Sequence, residues 1–176
     1  MTIRQLDADA YTAALPALGR LLADTVAAGA SLGFVHPFDA PAAQAWWADL
    51  SPAVAAGSLR VWGAHDGTGD LVGTISLALP SKPNARHRAE IVKLMVHPRA
   101  RGRGLARTLL DTAEAAARGA DVSLLVLDTE TDSPADRLYA ATGWTRYGLV
   151  PAYAASPDGT LKDCSFYYKQ LRTQSG

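Results

Sequence analysis

Leu94-Met95-Val96-His97-Pro98-Arg99-Ala100-Arg101-Gly102-Arg103-Gly104-Leu105-Ala106 is the stretch on which the reading of this chain turns. The run Glu90 to Val96 is apolar enough for a strand, and His97-Pro98 ends it. A helix then opens at Leu105, with Leu105, Leu109, Leu110 and Ala113 on one face. Between the two lie Gly102, Gly104 and the arginines Arg99, Arg101 and Arg103. A helix N-terminus offers unpaired N–H groups and a partial positive charge, and glycines let backbone come close to a phosphate, so this turn suits a ligand with several phosphates. Two common phosphate motifs do not fit. The spacing is not that of a P-loop, and Ala106 and Arg107 after Leu105 break the dinucleotide pattern G-x-G-x-x-G.

Downstream, the helix ends near Gly119, and Val122 to Leu127 is a continuous apolar run of the kind buried on both faces of a sheet. Strand, helix and strand predict a parallel crossover. Ser133 caps a further helix that Pro134 opens and Gly143 stops. Trp144 to Val150 and Cys164 to Leu171 read as closing strands, joined by a loop from Pro151 to Lys162 that holds Pro157 and the turn Asp158-Gly159.

Upstream, Tyr11, Leu15, Leu18, Leu22 and Val26 recur at helical spacing, with Asp7 or Asp9 as cap and Gly29 as stop. The segment Gly29 to Asp39 is a loop carrying Phe34, His36 and Phe38, and Pro41 opens a second helix through Trp46, Trp47 and Leu50. Leu59 to His65 and Leu71 to Leu79 form a hairpin around Asp66-Gly67-Thr68-Gly69-Asp70. Glu90 and Lys93 stand an odd number apart, which puts them on opposite faces of a regular strand; a bulge would change that. The element order predicts one α/β domain over residues 1–176, a mixed twisted sheet with about four helices.

With 17 basic and 17 acidic residues the chain lacks the positive excess that nucleic-acid binding uses. No apolar stretch is long enough to span a membrane, and no cationic segment followed by an apolar run opens the chain, so a cytoplasmic protein is expected. The single Cys164 cannot form an internal disulfide, and His36, His65, His87 and His97 lack the close spacing of a zinc site. No metal is expected.

The quoted stretch resembles the acetyl-coenzyme A motif of the GNAT N-acetyltransferases, R/Q-x-x-G-x-G/A after a strand, and the order of elements is similar over nearly the whole chain. The resemblance implies a splayed parallel strand pair with the coenzyme in the gap. It implies that Leu94, Met95 and Val96 contact pantetheine and that Arg101, Gly102, Arg103, Gly104, Leu105 and Ala106 hold the phosphates. Leu138-Tyr139-Ala140-Ala141-Thr142-Gly143-Trp144 matches a second family feature, a tyrosine near the coenzyme sulfur, which makes Tyr139 a candidate general acid for the departing thiolate. Ala89 to Val96, Leu127-Asp128-Thr129-Glu130, Pro151-Ala152-Tyr153 and Ser156 to Leu161 are similar to the tabtoxin-resistance branch, whose enzymes acetylate an amino-acid toxin with two cleft acids matching Glu90 and Asp128.

Chemistry gives those acids a purpose. An alkyl ammonium attacks nothing until it loses a proton, which a carboxylate draws off directly or through water. The expected substrate is therefore a small-molecule amine, with Phe34, Trp47 and Tyr153 as candidates to line its pocket; a homodimer is left open. By contrast Glu114, on a helix, reads as part of a solvated face. Two other readings stand beside this one: an acyl-coenzyme A sensor without turnover, and a metal-dependent exonuclease built on Asp128 and Glu130, for which Leu125 to Thr131 gives a local match.

Overall fold

The computed structural model describes residues 1–171. The chain runs β1 (Thr2–Leu6), α1 (Ala8–Ala27), α2 (Ala40–Asp49), α3 (Ser51–Ala55), β2 (Leu59–His65), β3 (Leu71–Ala78), β4 (Arg88–Val96), α4 (Leu105–Arg118), β5 (Leu124–Glu130), α5 (Pro134–Ala141), β6 (Thr145–Ala155) and β7 (Leu161–Gln170). The seven strands form one sheet in the order β1-β2-β3-β4-β5-β7-β6. All neighbours are antiparallel except β4 and β5.

Capping chemistry starts the helices where the sequence predicts. Asp7 accepts from Ala10 N at 2.9 Å to open α1, Asp39 accepts from Ala42 N at 2.9 Å to open α2, and Ser133 accepts from Asp136 N at 3.1 Å to open α5. The helices α1 and α2 cross closely because residue 19 is glycine: a Cβ there would stand 2.9 Å from the backbone nitrogen of Gln44. Trp47, Leu18, Leu22 and Val26 bury themselves in this cap against Met95 and Val61 on one face of the sheet. On the other face Leu109, Leu110 and Ala113 of α4 pack with Ile75, Leu77, Leu125 and Tyr139.

Four expectations change. There are five α-helices among the described residues, because Ser51–Ala55 adds a short turn of helix; and β1, whose Arg4 and Gln5 hide any strand pattern, is an edge strand paired to β2. The predicted loop 151–162 is mostly strand: β6 runs to Ala155 and β7 begins at Leu161, so only Ser156 to Thr160 turns. Pro151 is accommodated at a register break between Val150 and Ala154, where a missing N–H disturbs no ladder pair. Finally, Glu114 is buried at 3% exposure rather than solvated. Lys169 on β7 donates to both its carboxylate oxygens at 2.8 Å, and the Trp144 indole donates at 3.1 Å.

That cluster joins α4 to β7 and, through Lys169 donating to Thr142 O at 2.8 Å, to the end of α5. Glu114→Ala strands a buried ammonium, so it should destabilise the fold by about 3 kcal/mol, read as a lower denaturant midpoint at unchanged slope. A loss under about 0.5 kcal/mol would mean that Lys169 escapes to solvent without cost.

Candidate active site

The central parallel pair is short. β4 and β5 pair only at Arg88↔Leu124, Ala89↔Leu125 and Glu90↔Val126; thereafter β4 follows β3 and β5 follows β7, so the two strands part. The departure coincides with a bulge. Between the partners Thr74 and Ser76 of β3 stands one residue, whereas Lys93 and Leu94 stand between Met95 and Val92 of β4, and Lys93 takes φ 53°. An extra residue bends and twists its strand, which turns the far half of β4 away from β5.

The bulge also resolves the odd spacing of Glu90 and Lys93. Val92 packs on the α1 and α2 side, and the register puts Glu90 on that same face; the bulge brings Lys93 there as well, over the rings of Phe34 at 5.3 Å and Trp46 at 5.0 Å. In the parallel register Val126 matches Glu90, so Asp128, two residues on, opens onto this face too. Glu90 is solvent-accessible at the edge of a cleft of about 160 Å³ between Pro80, Arg88 and Val126, yet crowded enough to lose hydration. Desolvation, reinforced by the charge of Asp128, raises its pKa above the usual carboxylate range. Lys93 is shifted the opposite way, its pKa lowered by burial and partly restored by Asp128 and Glu90. A larger groove of about 520 Å³, between Arg20 and Gln44 on the outside of α1 and α2, lies apart from these groups.

Asp128 has the thiol of Cys164 3.4 Å from Oδ2, and the same sulfur lies 3.2 Å from Thr129 O. Burial first, then the charge of Asp128, pushes the Cys164 thiol up to about 12, so it stays protonated. Tyr139 lies on the other side of the sheet, in contact with Trp144 and Tyr167 at ring separations of 5.7 and 5.9 Å. Burial and the charge of Asp128 raise its pKa well above the phenolic norm, which keeps it a proton donor.

Where β4 and β5 part, the turn after β4 leads into α4. Gly102 and Gly104 both have φ 75°, and a Cβ at either would meet nothing within 4 Å, so backbone conformation rather than crowding selects glycine. Gly104 caps α4 with no side-chain acceptor, leaving the first-turn N–H groups of Leu105, Ala106 and Arg107 without a capping side chain, as an anion site needs. The three arginines divide their work. Arg99 pairs with the β2–β3 turn, 2.9 Å from Asp70 and 3.3 Å from Asp66. Arg101 donates to Val96 O at 3.2 Å, and among the described residues Arg103 has no hydrogen-bond partner.

The loop residues meet over the cleft. His36 N donates to Pro157 O at 2.9 Å, joining the α1–α2 loop to the β6–β7 turn. Tyr153 stands edge-on to Phe166 at 5.1 Å, and Phe166 is the β7 partner of Asp128, so Tyr153 sits at the rim on the acids' side. Phe34 stacks on Phe38 at 4.2 Å beside Lys93. Trp47 is a correction: it is fully buried against Tyr11, whose hydroxyl donates to its carbonyl at 2.7 Å, and the neighbouring Trp46 is the tryptophan that reaches Lys93. Both belong to one apolar stripe, and helical phase alone does not say which one turns outward. Lys93 itself was a missed site residue; a lone cation in an apolar strand was its signal. Glu130, the second acid of the exonuclease match, accepts from Ser156 Oγ at 3.2 Å and so serves the β6–β7 turn.

Among solved structures the chain is similar to a ribosomal-protein-alanine N-acetyltransferase from Brucella melitensis, at 25% identity and TM-score 0.76, covering 97% of this chain and 100% of that one. It is also similar to an N-acetyltransferase from Staphylococcus aureus at 17% identity and TM-score 0.78, covering 97% and 98% of the two chains. A phosphinothricin acetyltransferase from Sinorhizobium meliloti, solved with acetyl-coenzyme A, matches at 19% identity and TM-score 0.77 over 97% of this chain and 88% of that one. At these lower identities the likeness speaks for the fold. The sequence model of the acetyltransferase (GNAT) family matches residues 23–144, well over half of the chain, and the protein therefore belongs to the GNAT acetyltransferase family.

Proposed function

We propose that the chain is an acetyl-coenzyme A-dependent N-acetyltransferase acting on the amino group of a small molecule. The observation that carries this reading is the convergence at one divergence of strands: an uncapped helix N-terminus on one side and two acids, Glu90 and Asp128, on the other. The coenzyme suits these residues. The gap between β4 and β5 leaves β4 backbone from Leu94 to Val96 without a β5 partner, and the turn from Arg101 to Ala106 offers uncapped amides for a pyrophosphate. Bound there, acetyl-coenzyme A supplies a thioester carbonyl carbon for the amine nitrogen to attack, and the C–S bond breaks as the thiolate leaves.

Each residue then has a defined task. Glu90 and Asp128 attract the ammonium and take up one proton, directly or through water, freeing the nitrogen lone pair. The raised pKa of Glu90 brings its basicity closer to that of the amine, which favours the transfer. The protonated Tyr139 delivers a proton to the departing sulfur. Cys164, buried and held protonated, is a poor nucleophile, which supports direct transfer over an acetyl-cysteine route. By their names one neighbour acts on phosphinothricin and the Brucella one on ribosomal-protein alanine, so the acceptor class rests on Glu90 and Asp128 rather than on the neighbours.

Thiol release from acetyl-coenzyme A across a panel of amines tests the reading; binding without turnover on any amine would leave an acyl-coenzyme A sensor. Tyr139→Phe should lower kcat by about 100-fold or more with little change in acetyl-coenzyme A binding. Asp128→Asn removes a charge that raises the pKa of Glu90, so the acidic limb of kcat/KM should move to lower pH; a limb that stays in place would take the proton-accepting role from Glu90.

The coenzyme turn is tested by comparing two variants. Gly104→Ala forces a side chain into left-handed backbone at a cost of about 1–2 kcal/mol and should raise the KM for acetyl-coenzyme A roughly tenfold. Arg99→Ala, which loses only exposed ion pairs, should leave that KM within about twofold.

Glu90 also predicts a stability effect of definite sign. A carboxyl whose pKa is raised by folding stabilises the fold fully below its unfolded pKa and loses that contribution as pH rises through the folded value. Glu90→Gln should therefore abolish most activity yet raise the denaturation midpoint at neutral pH, the gain vanishing in acid. A variant less stable at neutral pH would show that Glu90 serves the fold.

A further inference from the structure

Arg88, two residues before Glu90 and exposed, shares the acids' face; Lys93 is the half-buried cation there, and its surroundings do not explain its charge. Nζ donates to Leu32 O at 2.7 Å and lies over Phe34 and Trp46, which leaves two of its three N–H donors to be matched. Among the described residues no carboxylate oxygen comes within the 4.0 Å of an ion pair. Glu90 and Asp128 act on it only through the shared space of the cleft. The backbone is held in left-handed geometry at φ 53° to put it there, although lysine gains nothing from that conformation. A loop staple alone could be made by any neutral donor, without the cost of desolvating an ammonium.

We propose that Lys93 is the specificity residue that recognises a carboxylate on the acceptor, so that the pocket selects an amine bearing an acid group beside it. The inference rests on the N-acetyltransferase reading and narrows it. The acceptor ammonium lies with Glu90 and Asp128, and its carboxylate reaches the unused donors of Lys93 on the same face. Charges of opposite sign on one substrate thereby meet charges of opposite sign in one cleft, and an acceptor lacking the acid leaves Lys93 buried and unmatched. The Phe34 and Trp46 rings exclude water around Nζ, which strengthens the contact.

The experiment compares free α-amino acids with their carboxamides, which also mimic the N-terminal residue of a protein. The wild-type enzyme should prefer the free acid by at least about tenfold in kcat/KM. Lys93→Met should cut kcat/KM for the free acid by about 30-fold or more, mainly through KM, while changing that for the carboxamide by less than about threefold. Lys93→Arg should restore part of the preference, and the KM for acetyl-coenzyme A should stay constant throughout. Equal losses on acid and carboxamide would reduce Lys93 to a staple of the α1–α2 loop and overturn the inference. So would a wild-type enzyme indifferent to the carboxylate, a result that needs no variant to fold. A wild-type enzyme that acetylates neither series but turns over another amine overturns this inference alone, whereas no turnover on any amine of the panel sinks the transferase reading and this one with it.

Discussion

The site depends on one constraint, the inability of β4 to stay paired with β5 beyond Glu90. The extra residue at Lys93 lets β4 keep its ladder with β3 while turning from β5, and β5 is held to β7 as far as Glu130↔Cys164. Two strands anchored on opposite sides must then open between them. An open sheet ordinarily exposes unpaired N–H and C=O groups at a cost. On the proposed reading the exposed row is the backbone that pairs with pantetheine, so the defect in the sheet is also its binding surface.

The same bulge decides which side chains share the cleft. A regular strand would hide Lys93 among the α4 contacts with Ile91; the bulge delivers it to the face of Glu90 and Asp128. Three ionisable groups then occupy one partly dehydrated space, each moving the pKa of another: Asp128 raises Glu90 and, with it, holds up the pKa of Lys93. Such an arrangement is poor for stability. By contrast the Glu114–Lys169 pair is closed, with donors on both carboxylate oxygens. Among the described residues the Glu114–Lys169 cluster is buried and satisfied, whereas the one at the rim of the cleft is left open, where a substrate can complete it.

What could be read from the sequence follows from how locally each feature is determined. The turn at Gly102 and Gly104 was legible because left-handed backbone favours glycine, and the caps Asp7 and Ser133 because a side chain reaches only its own first turn. Features decided by distant partners were not. Helical phase could not say that Trp47 rather than Trp46 turns into the core, since that depends on how α2 crosses α1 at Gly19. Glu114 looked solvated because Lys169, 55 residues away, is invisible to any local pattern. Pro151 looked like a loop because its tolerance depends on the register break in β6. Glu90 and Asp128 were found by resemblance, and only the parallel register Glu90↔Val126 explains why they share a face.

The order in which charges can be handled follows from this geometry. Before an acceptor enters, Glu90 is disfavoured as an anion by its poor hydration and by Asp128, and Lys93 is disfavoured as a cation by burial. An entering ammonium relieves the first and an entering carboxylate the second, so each half of a zwitterion makes the other half's contact more favourable. On the proposed mechanism, once the nitrogen gives up its proton Glu90 returns to the form its surroundings prefer, and the neutral amine loses its hold on the acids while the carboxylate keeps its hold on Lys93. The nucleophile is then anchored by a group that takes no part in the reaction, free to move toward the gap where β4 and β5 diverge. The proposed mechanism thereby assigns binding and activation to different charges, which is what a pocket must do when the atom it binds by attraction is the atom it must discharge before it can react.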